Sequence, residues 1–231
     1  MSPNDYEGVN NFRLLTNNLI HLKYELKQAD AIYFRVAKEA HQFLLRAMVE
    51  ALSQSSSRMV TGRPKDKARS VKYRLGGGPW MEIHRIEVDG CQKAWRYSEP
   101  KQCDPPVEQG NDTSYTPSFD NYLIGFYDLL AMIQTTSHMG TFVGRPVIVC
   151  DRELQSLEWL HENIRNEFEH FTPKSYYAPF SDLKDVSSIC VDKGNGIIFD
   201  SGMIHRSLYP AHSFDNLRTL IDDINSSLNK R

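Results

Sequence analysis

Leu15-Thr-Asn-Asn-Leu19-Ile-His-Leu22-Lys-Tyr-Glu-Leu26 opens an apolar series that continues through Ala29, Tyr33, Val36, Ala40, Phe43 and Ala47. The steps alternate between four and three residues, which keeps every member on one stripe of a helix. Neither Pro nor Gly falls between Val9 and Thr61. The spacing predicts one helix, or a slightly kinked pair, from Phe12 to Leu52. At the helical rise such a rod is about 60 Å long. A small monomeric core does not cover a seam of that length, so part of it is expected to meet a partner chain.

Further along, three more stretches carry the same period. Phe119, Tyr122, Leu123, Phe126, Tyr127, Leu130 and Ile133 form a broad apolar face, with Ser118 placed to cap it and an end near Ser137. Asp151 is placed to cap a helix whose stripe is Leu157, Leu160, Ile164, Phe168 and Phe171, stopped by Pro173. Phe214, Leu217, Ile221, Ile224 and Leu228 predict a C-terminal amphipathic helix. Between the last two, Ser181 can cap a helix carrying Leu183, Val186, Ile189 and Cys190. Gly194-Asn-Gly196 weakens its end, which leaves Ile197 to His205 as a second helix or an extended segment.

Residues 54–118 break the pattern. Gly76-Gly-Gly-Pro79 interrupts the chain, and no Gly-Lys-Ser/Thr follows it to make a phosphate loop. Trp80 to Tyr97 has no clean period and is expected as a short helix or irregular structure. The Pro-rich segment from Glu99 to Pro117 reads as a loop. The fold class expected is all-α: an up-and-down bundle of four to five helices. Residues 1–231 form a single domain, with 54–118 as an irregular insertion after the first long helix.

The formal net charge of −2 carries no global basic field. One local bias stands out. Arg58, Arg63, Lys65, Lys67, Arg69, Lys72 and Arg74 occur with a single acid, Asp66. Such a run is either a solvated loop or a phosphate-contacting segment that gains affinity by counterion release on RNA. Cys91, Cys103, Cys150 and Cys190 form no CxxC pair and read as reduced thiols. No apolar run is long enough to span a bilayer, and the first residues lack the pattern of a secretory signal. The expectation is a cytoplasmic protein without a membrane partner.

The chemistry concentrates at Arg165-Asn-Glu-Phe-Glu-His170. On a helical wheel Arg165 and His170 bracket the polar face, with Asn166 between them. A His moves protons near neutral pH, an Arg stabilises charge on phosphate oxygens, and an Asn orients either partner. When RNA is the substrate, its own 2′-OH is the nucleophile, so neither metal nor cofactor is required. The plain alternative is a surface helix in which Arg165 pairs with Glu162 or Glu169 and His170 favours the helix C-terminus. Glu158-x-x-His161 and Glu167-x-x-His170 match the spacing of di-iron bundles, but both lie on one helix and no third copy occurs elsewhere. His21, His41, His84, His138, His205 and His212 stand alone as surface or satisfied core residues. The Trp and Tyr residues of the 80–97 region are expected in the core of the insertion rather than as base-stacking platforms.

Arg165, Asn166 and His170, with Trp159-Leu160 upstream, Phe171-Thr-Pro173 downstream and Ala31-Ile-Tyr-Phe34 on the preceding long helix, resemble the HEPN superfamily of bacterial ribonucleases, toxins and defence proteins. The resemblance covers residues 12–53 and 119–205 and leaves out 54–118. It implies a helical bundle that dimerises with two motif helices face to face, and metal-independent RNA cleavage to a 2′,3′-cyclic phosphate. His170 would then be general acid or base, Arg165 the clamp on the transition state and Asn166 the orienter. A toxin, phage-defence or stress role follows from the same likeness. Members modified by a nucleotidyltransferase antitoxin carry a Tyr two residues after the His. Thr172 stands there, so that pairing is not expected, and any antitoxin is of unidentified kind. Other members lack activity. The alternative expectation is therefore a catalytically silent HEPN-like nucleic-acid-binding or scaffold protein.

Overall fold

The computed structural model describes residues 11–28, 31–55, 70–74, 78–105, 125–135, 144–165 and 178–230. The chain is predominantly helical, as expected. The first apolar seam forms two helices, α1 (Asn11–Lys27) and α2 (Tyr33–Ser55). They pack antiparallel: Asn11 Nδ2 donates to Arg46 O at 2.8 Å and Glu50 Oε2 at 3.0 Å, and Asn18 Nδ2 donates to Glu39 Oε2 at 2.7 Å. Leu15, Leu19, Leu22, Val36, Ala40, Phe43 and Ala47 are fully buried.

This corrects the single rod of about 60 Å. The seam closes largely on itself instead of waiting for a partner chain. Folding back lets the two halves bury one another, which a straight rod in one chain cannot do. Nothing local marks the reversal, since neither Gly nor Pro lies between Lys27 and Tyr33.

Helix α2 is the centre of the molecule. It packs against α1, α3 (Phe126–Ile133), α5 (Phe180–Asn195) and the end of α4 (Asp151–Trp159). A π-helical stretch, Leu160–Arg165, extends α4, and another, Gly196–Asp200, extends α5. Helix α6 (Ala211–Lys230) closes the bundle against α1 and α5, with Phe214, Leu217, Ile221, Ile224 and Leu228 buried as their spacing predicts. Helix α5 begins at Phe180, after Pro179 rather than a Ser181 cap. It runs straight through Gly194. That glycine is required by close approach: a Cβ there would overlap the Phe43 ring of α2.

Trp80 to Tyr97 overturn the expectation of a short helix or irregular structure. They belong to a small antiparallel sheet of β1 (Ser70–Arg74), β2 (Trp80–Glu87), β3 (Trp95–Tyr97) and β4 (Lys101–Gln102). β1 lies along one edge of β2, and β3 and β4 lie along the other. Arg85 pairs with Tyr97 but Glu82 pairs with Lys101, so one extra residue sits between the two short strands, a bulge. The period of two was hidden by Arg85. Its guanidinium covers the Trp95 ring at 4.6 Å, so a charged residue lies on the inner face beside buried Ile83. The turn after β2 passes through Gly90 at φ +79°, a conformation that favours glycine. Gln155 of α4 lies against it and donates from Nε2 to Asp89 O at 2.7 Å.

Candidate functional site

Helix α4 starts one residue earlier than the Asp151 cap predicts. Cys150 is the capping position, and its N–H donates to Glu153 Oε2 at 2.8 Å. Lys193 of α5 also reaches Glu153, at 2.8 Å. Burial pushes the Glu153 carboxyl up, but those bonds outweigh it and hold it below the usual carboxylate range. Leu157, Leu160 and Ile164 are buried, so the predicted stripe is inward as far as Ile164. Phe168 and Phe171 lie outside the described residues.

The polar side of the same helix is more occupied than the sequence indicates. Glu158 accepts three backbone N–H groups, from Gln92 at 2.7 Å, Lys93 at 3.0 Å and Ala94 at 2.6 Å. One turn on, Glu162 Oε1 accepts the Tyr127 hydroxyl at 2.7 Å and Oε2 takes the Lys93 ammonium. Desolvation raises both carboxyls, and the donors more than reverse it, leaving both below their ordinary range. Two neighbours respond in the opposite sense. Burial, then the bond to Glu162, pushes the Tyr127 hydroxyl up. Burial and the Glu158 charge push the Cys91 thiol up to about 11.

His161 lies between these two glutamates in sequence but faces α2 and α3. Its ring stacks on Phe126 at 4.6 Å and meets Tyr127 edge-on. Its Nδ1 lies 3.0 Å from Nε2 of His41, which is fully buried. His41 is therefore not solitary, as the sequence suggested. The Glu158-x-x-His161 spacing is divided between two jobs, a backbone cap and a histidine contact. Among the described residues no three His, Cys, Asp or Glu side chains converge as a metal-ligand group.

Arg165 is the last described residue of the π-helical extension. Asn166 and His170 lie outside the described residues, as do Arg58, Arg63, Lys65, Lys67 and Arg69 of the basic run. Lys72 and Arg74 are exposed on β1. Of the lone histidines, His21, His84, His205 and His212 are exposed. Sequence reasoning assigned Glu158, Glu162 and Tyr127 other roles and did not single out Lys93. A pair of glutamates four apart was the visible signal, but their partners come from distant segments.

An open groove of about 660 Å³ runs between α4 and α5, with Trp159 and Val186 in its wall and Asp182, Asp185 and Asp192 on its rim. With Glu153 also in the lining and Arg152 as its one cation, the groove carries a net negative lining that disfavours phosphate. Among the described residues no helix is long and apolar enough to cross a membrane. No family model, curated protein or solved structure matches the chain.

Proposed function

We propose that the chain is a metal-independent endoribonuclease of the HEPN type, working as a homodimer through Arg165, Asn166 and His170. The observation that carries the reading is the motif itself, opening at Arg165 on a helix whose apolar side is buried against α2.

In this reading His170 takes the proton of a ribose 2′-OH. The 2′ oxygen attacks the adjacent phosphorus, and the bond to the departing 5′ oxygen breaks. His170 of a second copy returns a proton to that oxygen. The products are a 2′,3′-cyclic phosphate and a 5′-hydroxyl end. Arg165 stabilises charge on the phosphate oxygens as the five-coordinate state forms, and Asn166 orients the imidazole or the phosphate through its amide. Two facing copies supply the acid and the base at once, so a single helix makes only half a site. A cytoplasmic location and a toxin, phage-defence or stress role accompany this reading.

The test is cleavage of RNA by the purified protein in EDTA. Cleavage with cyclic-phosphate ends, abolished in His170→Ala and Arg165→Ala proteins of unchanged circular dichroism, is the expected result. Intact RNA after prolonged incubation at high protein concentration, across several RNA classes, overturns the assignment in favour of a silent HEPN-like scaffold.

A further inference from the structure

The outer face of the small sheet gathers cations beside an indole. In an antiparallel pair, residues directly opposite share a face. Lys72 stands opposite Glu82, Arg74 opposite Trp80 and Ser70 opposite His84, while Lys101 approaches Glu82 from the other edge. All of these lie on the face away from buried Ile83. Lys72, Arg74 and Lys101 are exposed, His84 is half-exposed and Trp80 is partly exposed. Glu82 is the lone carboxylate in these pairs and sits between two lysines. Two bonds hold the cations in place: Arg74 Nε donates to Gly78 O at 2.8 Å, and Lys72 Nζ lies 3.4 Å from Asp104 O. The strand that carries Lys72 and Arg74 is the direct continuation of the run containing Arg58, Arg63, Lys65, Lys67 and Arg69.

We propose that this face is a platform for single-stranded RNA, with Lys72, Arg74 and Lys101 on phosphates and Trp80 stacked on a base. The inference deepens the ribonuclease reading and rests on RNA being the ligand. Charge selects a polyanion. The indole selects the strand state: a base inside a duplex is stacked on both sides and offers no face to Trp80, whereas an unpaired base does. An acidic peptide would satisfy the cations and leave the indole without a role. Trp80 departs in part from the expected placement of this region's aromatics in its core, since it is only partly buried. Trp95 is buried under Arg85, but Trp80 lies on the outer face.

The test uses the full chain and a fluorescent single-stranded 2′-O-methyl oligoribonucleotide, which cannot be cleaved by attack of its own 2′ oxygen. Affinity by anisotropy at several salt concentrations is compared with the same strand annealed to its complement. The expected result is tighter binding of the single strand. Lys72→Gln with Lys101→Gln should weaken it about tenfold and lower the salt slope by about 1.4, at roughly 0.7 per lost phosphate contact. Trp80→Leu should weaken it by at least about fivefold. Glu82→Gln should tighten it, a gain that a misfolded variant cannot mimic. Equal or better binding of the duplex, or affinity unchanged in the lysine pair and in Glu82→Gln, overturns the proposal. Cleavage of unmodified RNA in EDTA is read separately. Binding without cleavage sinks the ribonuclease reading and keeps the platform, and cleavage by a protein indifferent to these substitutions does the reverse.

Discussion

Nε2 of His41 and Nδ1 of His161 meet at 3.0 Å, joining the middle of α2 to the π-helical end of α4 across 120 positions of sequence. One nitrogen of the pair must donate and the other accept. His41 is fully buried, and Phe126 lies within 4.7 Å of its ring centre. The pair therefore clamps the helix that carries Arg165 onto the core.

Removing either ring should loosen that clamp. His41→Ala leaves a cavity and a half-buried His161 without its partner, and is expected to cost about 2–4 kcal/mol. His161→Ala should cost less, because its ring is only partly buried. A double-mutant cycle in urea should give a coupling of about 0.5–1.5 kcal/mol. Strict additivity would mean that the contact contributes nothing.

Glu158 organises the 92–94 segment by accepting three N–H groups at once. Glu158→Ala should destabilise the protein by about 1–2 kcal/mol, since three N–H groups, one of them on buried Ala94, lose a charged acceptor. Hydrogen exchange of the Gln92, Lys93 and Ala94 amides should rise far more than that of α6. Uniform acceleration across the chain would instead indicate simple global destabilisation.

Acid should act on the same helix. The Glu153, Glu158 and Glu162 carboxyls all lie below their ordinary range in the folded protein. A depressed folded pKa contributes stability that is complete above the unfolded value, about 4.3. That contribution is lost as pH falls through the folded values. Urea midpoints should therefore decline below about pH 4.5, and the decline should flatten when all three are changed to Gln. An unchanged acid limb in the triple variant would place the titrating groups elsewhere.

Gly194 of α5 lies directly against the Phe43 ring of α2. A Cβ at that position overlaps the Phe43 ring, so Gly194→Ala should destabilise by about 1–3 kcal/mol despite the better helix propensity of alanine. Phe43→Leu in the same chain should recover part of the loss. Thermal melts of the two single variants and the double variant measure this. A neutral or stabilising Gly194→Ala would show that the helices can separate freely.

The sequence by itself determined where the chain can be helical and which side of each helix turns inward. Leu15 to Leu26, Leu157 to Ile164 and Phe214 to Leu228 all bury the residues their spacing selects. Such periodicity is written within a few turns, so local reading recovers it. The Arg165-Asn-Glu-Phe-Glu-His170 motif is read from the sequence alone, since Asn166 to His170 lie outside the described residues. Only the tertiary structure decided that the first seam folds back between Lys27 and Tyr33, that residues 70–74 and 80–102 carry a sheet, and that Glu158, Glu162 and His161 are engaged by Lys93, Tyr127 and His41. Those outcomes depend on hydrogen bonds and packing between residues tens of positions apart. No local pattern encodes a partner at that distance, because the energy of the contact exists only once the core has brought the segments together.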